Sequence, residues 1–154
     1  MRGIRKFQQG EAPALYSVFH SAIHGQALPH YSWEQIEAWA PASVDQDAWA
    51  ARMSRLQPTV VEMDGVPIAY AALRQDGYLD DFYVATEHSG HGVGSLLMQE
   101  VLREARSLGL GVLHSDVSVN AQAFFTKFGF EIVEQRMPVV RGVAMPNARM
   151  VRSL

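Results

Sequence analysis

Apolar residues recur along this chain at two different periods, and the switch between them divides the sequence. From Glu11 to about Ile23, the residues Ala14, Leu15, Val18, Phe19 and Ala22 fall at helical spacing, with Pro13 tolerated in the first turn. Ser32 and Gln35 stand at the capping-box spacing ahead of Trp33, Ile36 and Ala40, and Pro41 stops that helix. A third helix over "VDQDAWAARMSRL" carries Trp49, Met53 and Leu56 on one face. Beyond it the period becomes two. Strands are expected at about 58–63, 67–74 and 78–85, joined by the hairpin dipeptides Asp64-Gly65 and Asp76-Gly77.

The helical period then returns between Val93 and Ser107, with Val93, Leu97, Val101 and Ala105 facing inward and Gly109 closing the helix. "GVLHSDVS" reads as a strand and "NAQAFFTKFGF" as a short helix with Asn120 as N-cap and Gly129 as terminator. "EIVEQRMPVV" and "VAMPNARMVRS" complete the chain as two strands, and "GIRKFQQ" is the first. The expected fold class is therefore α/β: one domain over 1–154, a mixed and mostly antiparallel sheet with helices on both faces.

Charge and composition narrow the function classes. The net charge is -3 with a pI of about 6.0, which gives no basic footprint for nucleic acid. There is no cysteine, so neither disulfides nor thiolate chemistry enter. No run has the apolar character of a signal peptide or a membrane span, and a cytoplasmic protein is expected. His20 and His24 are the one histidine pair at helical spacing, and without a third ligand they read as a solvated face, so no metal is expected.

The candidate chemistry lies in "EHSGHGVGSLLM", where Gly90, Gly92 and Gly94 sit between a strand and a helix N-terminus. That arrangement holds anions through backbone N–H groups and the helix dipole. A nucleotide-triphosphate loop would need a lysine, and Gly94 is followed instead by Ser95 and Leu96. A dinucleotide fold needs a different glycine spacing and more chain after it, although Asp116 could pass for its ribose-binding acid.

"FYVATEHSGHGVGSLLM" resembles the acyl-CoA signature of the GNAT superfamily of N-acetyltransferases, Arg/Gln-x-x-Gly-x-Gly/Ala, with Ser89 at the Arg/Gln position and Gly92 and Gly94 on the glycines. "NAQAFFTKFGF" is similar to the family's later helix ending in Gly-Phe, here Gly129-Phe130, and the order of elements agrees. "YSWEQIEAWAP", "GYLDDFYV" and "AFFTKFGF" further resemble a YafP-like subgroup.

The resemblance implies acetyl-CoA as cofactor and an amine of a small molecule or peptide as acceptor. The pyrophosphate would be held by the backbone of Ser89, Gly90, His91, Gly92, Val93, Gly94 and Ser95, with His88 and His91 flanking it. The pantetheine arm would lie along Phe82, Tyr83 and Val84, where the strand splays from "VLHSDV". Asn120 matches the asparagine that contacts the arm, and Lys127 lies near the basic side chain by the 3′-phosphate. A main-chain N–H near Phe82 to Val84 would support the carbonyl oxygen. Asp80 is the expected base, because strand alternation puts it with Phe82 and Val84 and turns Asp81 away. The family often has a tyrosine where this chain has Phe125, so the acid passes to Tyr83, Tyr78, Ser118 or water. On the acceptor side the candidates are Tyr31 and Trp33, and either Trp33 or Trp39 is expected to be packing. A CoA-binding sensor without turnover is the competing reading, kept open by Phe125 and Ser89. Acetylation of charged tRNA is disfavoured by the acidic balance. A monomer or homodimer is equally compatible with the sequence.

Overall fold

A computed structural model describes all residues, Met1–Leu154. Strand β1 (Arg2–Lys6) leads into helix α1 (Ala12–Gln26), followed by α2 (Trp33–Trp39) and α3 (Gln46–Leu56). The strands β2 (Thr59–Met63), β3 (Val66–Leu73) and β4 (Leu79–Val84) then join β1 in one antiparallel sheet of order β1-β2-β3-β4. Asp64 and Gly65 both take positive φ, 53° and 86°, the geometry of the two-residue hairpin turn that their identities predict.

Helix α1 runs a turn further than its apolar pattern suggests, through Gly25 to Gln26. A Cβ at Gly25 would stand 2.0 Å from the Thr86 hydroxyl, so the glycine serves a close approach between the helix and the turn after β4. Helix α2 opens on the expected capping box: Ser32 Oγ accepts from the Gln35 N–H at 3.2 Å, and Gln35 Oε1 from the Ser32 N–H at 2.9 Å.

After β4, helix α4 (Val93–Ser107) packs on the opposite face of the sheet from α1, and β5 (Val112–Ser118) follows. Strand β5 runs parallel to β4, and one backbone bridge, Tyr78–His114, joins them at the start of β4. A Cβ at Gly77 would meet the Val112 carbonyl oxygen at 2.6 Å, so glycine is what lets the two strands meet there. The Ser115 hydroxyl donates to the Leu79 carbonyl at 2.7 Å and closes the joint. Beyond Leu79 and Ser115 the strands part, and the fold opens between them.

The C-terminal region differs from its sequence reading. Two long strands are expected; four shorter ones form, β6 (Glu131–Arg136), β7 (Val139–Val140), β8 (Val143–Ala144) and β9 (Asn147–Ser153). Pro138 and Pro146 fall at the breaks, where a residue lacking an N–H interrupts a ladder. Strand β9 lies between β5 and β6, and β7 with β8 makes a small hairpin turned through Arg141 and Gly142 at φ 48° and 78°. Between β5 and β6 the short helix α5 (Gln122–Lys127) is preceded by one 3-10 turn, Val119–Ala121. Asn120 thus sits in that turn and does not cap α5 with its side chain. Gly129, at φ 88°, ends the helix as expected.

Two apolar layers of 17 buried residues each hold the sheet from either side. Alternation along the strands sorts them: Val60 and Tyr70 face α1, while Val61, Ala69 and Ala71 face α4.

Candidate active site

Three cavities that share wall residues lie along β4. The largest, about 480 Å³, is a groove bounded by the end of β4, the glycine loop and α5. Phe82, Tyr83, Val84, Ser89, Gly90, Gly92, Gly94, Ser95, Asn120, Phe125 and Lys127 all line it. His91 and Val93 do not. Val93 is buried in the core and anchors the first turn of α4, and the His91 carbonyl accepts from the Arg2 guanidinium at 2.8 Å on the outer side of the loop.

The loop suits an anion. Gly92 is the N-cap of α4 at φ 82° and offers no side-chain cap, so the N–H groups of the first turn have no intrahelical or side-chain partner. A Cβ at Gly94 would lie 3.2 Å from the Phe124 ring, which fixes how closely α4 and α5 approach across the groove. Asn120 Oδ1 is buried with no hydrogen-bond partner. An orphaned acceptor in the wall of an anion-ready groove fits a ligand that carries both phosphate and amide N–H groups. Two wall residues have no motif to flag them. Gln26 reaches the groove through the extra turn of α1 and donates to the Val84 carbonyl at 2.8 Å, and Phe124 stacks near Phe82.

The second cavity, about 140 Å³, is a chamber at the fork of β4 and β5, closed by the β7–β8 hairpin. Asp80, Tyr83, Asp116, Ser118, Phe125 and Asn147 line it. The third, about 340 Å³, lies toward α1 and α3 and is walled by Tyr16, Trp39 and Trp49, with Arg52, Asp80 and Arg141 at its polar side. Asp80 borders the chamber and the third cavity, whereas Trp39 and Tyr83 border all three. Trp39 therefore walls the site as well as packing on the core.

Strict alternation does not hold at Asp80. Asp81 pairs with Ala72 and Leu79 with Leu73, which leaves Asp80 as the extra residue of a β-bulge. Both carboxylates consequently reach Arg52. Asp81, 5% exposed, takes two bonds from it at 2.7 and 2.9 Å and a third from the Tyr70 hydroxyl at 2.9 Å. Asp80 takes one bond from Arg52 at 3.3 Å, and Arg74 stands 3.7 Å away. Burial, followed by the charge of Asp81, raises the Asp80 carboxyl above the ordinary range, and the two arginines only partly offset this. The Tyr83 phenol is pushed well above its usual value by burial and by Asp81.

The remaining candidates fall into place around this line. Tyr78 donates to Asp116 at 3.0 Å, and burial with that carboxylate pushes its phenol up to about 12. Asp116 is also gripped by Arg149 at 2.6 and 3.1 Å, so Tyr78 belongs to a closed polar cluster. Phe125 is 3% exposed and packs edge-on against Phe82 and Phe130, making an apolar wall where a proton donor would stand. Tyr31 lines the chamber, with its hydroxyl donating to the Pro146 carbonyl and accepting from the Val119 N–H. Trp33 lies outside all three cavities, 59% exposed and edge-on to His24. His20 and His24 are not a solvated face: their rings stack at 3.8 Å, and His24 Nε2 bonds the Ala40 carbonyl at 2.7 Å. No cluster of three or more metal-ligating side chains is present, and no helix is long and apolar enough to cross a membrane.

The family model of the Acetyltransferase (GNAT) domain matches residues 27–150. The chain belongs to the GNAT acetyltransferases. The "Uncharacterized N-acetyltransferase YafP" of Escherichia coli K12 is 30% identical over 144 residues, covering 94% of this chain and 91% of that protein. The crystal structure of a GCN5-related N-acetyltransferase from Rhodopseudomonas palustris superposes with a TM-score of 0.94 at 30% identity, covering 100% of this chain and 96% of that one. The PaiA N-acetyltransferase of Thermoplasma acidophilum, solved with coenzyme A, shares the fold at a TM-score of 0.81 and 17% identity, over 100% of this chain and 99% of that one. As a GNAT enzyme the protein uses acetyl-CoA, which supplies an acetyl group on a thioester. The residues of the groove fit that molecule: uncapped N–H groups of α4 for phosphate, and the free edge of β4 with Asn120 for the amide-bearing arm.

Proposed function

We propose that the protein transfers acetyl from acetyl-CoA to a primary amine of a small molecule or peptide, with Asp80 as the general base. The observation that carries this reading is the position of Asp80. It is displaced by a bulge to the common wall of two cavities, only loosely paired, and its carboxyl is raised above the ordinary carboxylate range by burial and by Asp81.

In the proposed reaction Asp80 removes one proton from the acceptor ammonium. A backbone N–H on the free edge of β4, between Phe82 and Val84, supports the acetyl oxygen. As the new C–N bond forms, the C–S bond breaks, and the second proton passes from the nitrogen to the departing sulfur through water, leaving the amide and free CoA thiol. Tyr83, held protonated by its surroundings, donates a hydrogen bond to the departing sulfur. Ser89, Gly90, Gly92, Gly94 and Ser95 with Lys127 hold the phosphates at the far end of the groove. Trp39 and Tyr31 shape the acceptor side, and Trp33 is not assigned a role in it.

A panel of primary amines assayed for acceptor-dependent release of free thiol from acetyl-CoA tests the reading. Turnover of at least one amine, lost in Asp80→Asn, is expected. Tight acetyl-CoA binding with no turnover across the panel contradicts it and favours a non-catalytic CoA-binding sensor, consistent with the apolar Phe125.

A further inference from the structure

We propose that the side-chain oxygen of Asn147 is a second hydrogen-bond acceptor for the nucleophilic nitrogen, working beside Asp80 in the chamber between β4 and β5. The proposal rests on the acetyltransferase reading above and adds a substrate-holding residue to it.

Asn147 opens β9 and is paired by its backbone on both sides, opposite Ser118 of β5 and Arg136 of β6. That double pairing fixes where its side chain begins. The side chain lines the 140 Å³ chamber together with Asp80, and Oδ1 is buried with no hydrogen-bond partner. A buried acceptor left unpaired is costly, so folded proteins rarely carry one without a use. No polar neighbour in the chamber bonds it, Ser118 included, and three of them are committed elsewhere. The Tyr31 hydroxyl donates to the Pro146 carbonyl, the Ser115 hydroxyl donates to the Leu79 carbonyl, and Asp116 has no proton to give while Arg149 and Tyr78 hold it as a carboxylate. The missing donor is therefore an N–H or O–H that enters from outside.

A chamber of this size admits a small head group and not a bulky one. An entering ammonium has three N–H bonds. One points to Asp80 and is given up to it. A turn about the C–N bond then gives the two remaining N–H bonds to Asp80 and to Asn147 Oδ1 and points the freed lone pair along the third direction, toward the thioester. Balance is simple: Asp80 gains the proton, and Asn147 gains and loses nothing. A secondary amine keeps only one N–H once Asp80 has taken a proton, and so leaves either Asp80 or Asn147 without a donor. Asn147 thus selects unhindered primary amines.

The test uses the CoA-loaded protein and two probes, n-butylamine and N-methylbutylamine, with affinity measured by calorimetry in wild type and variants and, in wild type, the side-chain amide signals of Asn147 followed in an isotope-edited NMR titration. Asn147→Asp keeps an acceptor oxygen, and Asn147→Leu removes it at similar volume. The expected result is that n-butylamine moves the Asn147 amide signals. Its affinity should fall about tenfold or more in the Leu variant, the worth of one hydrogen bond to a charged group, and stay close to wild type in the Asp variant. The preference for n-butylamine over N-methylbutylamine should vanish in the Leu variant. Unmoved amide signals with equal amine binding in wild type and the Leu variant overturn the proposal and assign Oδ1 to an ordered water. Weaker binding in the Asp variant than in the Leu variant also overturns it, since the group would then be acting as a donor. Failure of CoA to bind in the same sample counts against the acetyltransferase reading instead, and the amine titration is then read on the free protein.

Discussion

Asp80 and Asp81 share one guanidinium unequally: Arg52 binds Asp81 through two nitrogens, at 2.7 and 2.9 Å, and Asp80 through one, at 3.3 Å. The bulge on β4 produces this inequality by bringing two consecutive carboxylates to the same cation. Asp81 is the structural partner. Removing its charge leaves Arg52 half-buried without its main counter-ion, and Asp81→Asn is expected to cost about 3 kcal/mol of stability. In a domain of this size that corresponds to a melting temperature lower by about 9 °C. Calorimetric unfolding checks it; a shift under 2 °C, about half a kcal/mol, contradicts the division of labour.

The same geometry sets a pH dependence. Asp80 works as a base only when ionised, and burial together with Asp81 raises its carboxyl above the ordinary 3.8. kcat at saturating substrates should therefore fall as pH drops through that raised value. In Asp81→Asn, with the like charge gone, the fall should move to lower pH. An unmoved acid limb contradicts the coupling. For stability the signs differ between two sites. The raised carboxyl of Asp80 contributes most below its unfolded value, and the contribution is lost as pH rises through the folded one. Asp116 is held low by Arg149 and Tyr78 although burial alone would raise it, so its contribution is present above the unfolded value and lost as pH falls.

Tyr31 ties the turn after β5 to the start of β9, accepting from the Val119 N–H at 2.9 Å and donating to the Pro146 carbonyl. Tyr31→Phe leaves both groups unpaired under cover, at a cost of about 1–3 kcal/mol. Tyr31 and Pro146 border the chamber, so KM for the acceptor should rise while the affinity for acetyl-CoA stays within about twofold. Equal losses in both would show that the latch also supports the groove.

Two glycines of the loop should respond differently to alanine. At Gly92 a Cβ meets nothing within 4 Å, and the penalty is the left-handed backbone alone, about 1 kcal/mol. At Gly94 a Cβ presses on Phe124 at 3.2 Å, and the ring must move within the groove. Gly94→Ala is thus expected to weaken acetyl-CoA binding more than Gly92→Ala, measured by calorimetry. The reverse order would mean that the phosphates, and not the Phe124 contact, set the loop's tolerance.

Much of this was legible in the sequence because it is encoded locally. The capping box at Ser32 and Gln35, the Asp64-Gly65 turn and the inward face of α4 each depend on residues a few positions apart. So does the glycine loop, whose residue types state their chemistry. What was not legible depends on contacts far along the chain. The β-bulge arises from pairing with β3 and changes the partner of Asp80 without leaving any mark in "YLDDFYV". Gln26 enters the groove because Gly25 packs on Thr86, and a glycine near the end of an apolar pattern reads locally as a stop. Trp33 and Trp39 occupy one short helix, and only the placement of α2 against the sheet sends Trp39 inward and leaves Trp33 outside. Asn147 carries no motif at all; its unpaired oxygen appears once β5, β6 and β9 are assembled.

The most direct test of the account compares wild type with Asp80→Asn in acetyl transfer to the best amine of the panel, with acetyl-CoA affinity measured on the same preparations. Loss of a positioned base should lower kcat by about 10²–10⁴-fold while acetyl-CoA binds as before. A variant whose kcat stays within about twofold of wild type, with unchanged binding, would show that Asp80 is not the base and that the bulge serves structure alone.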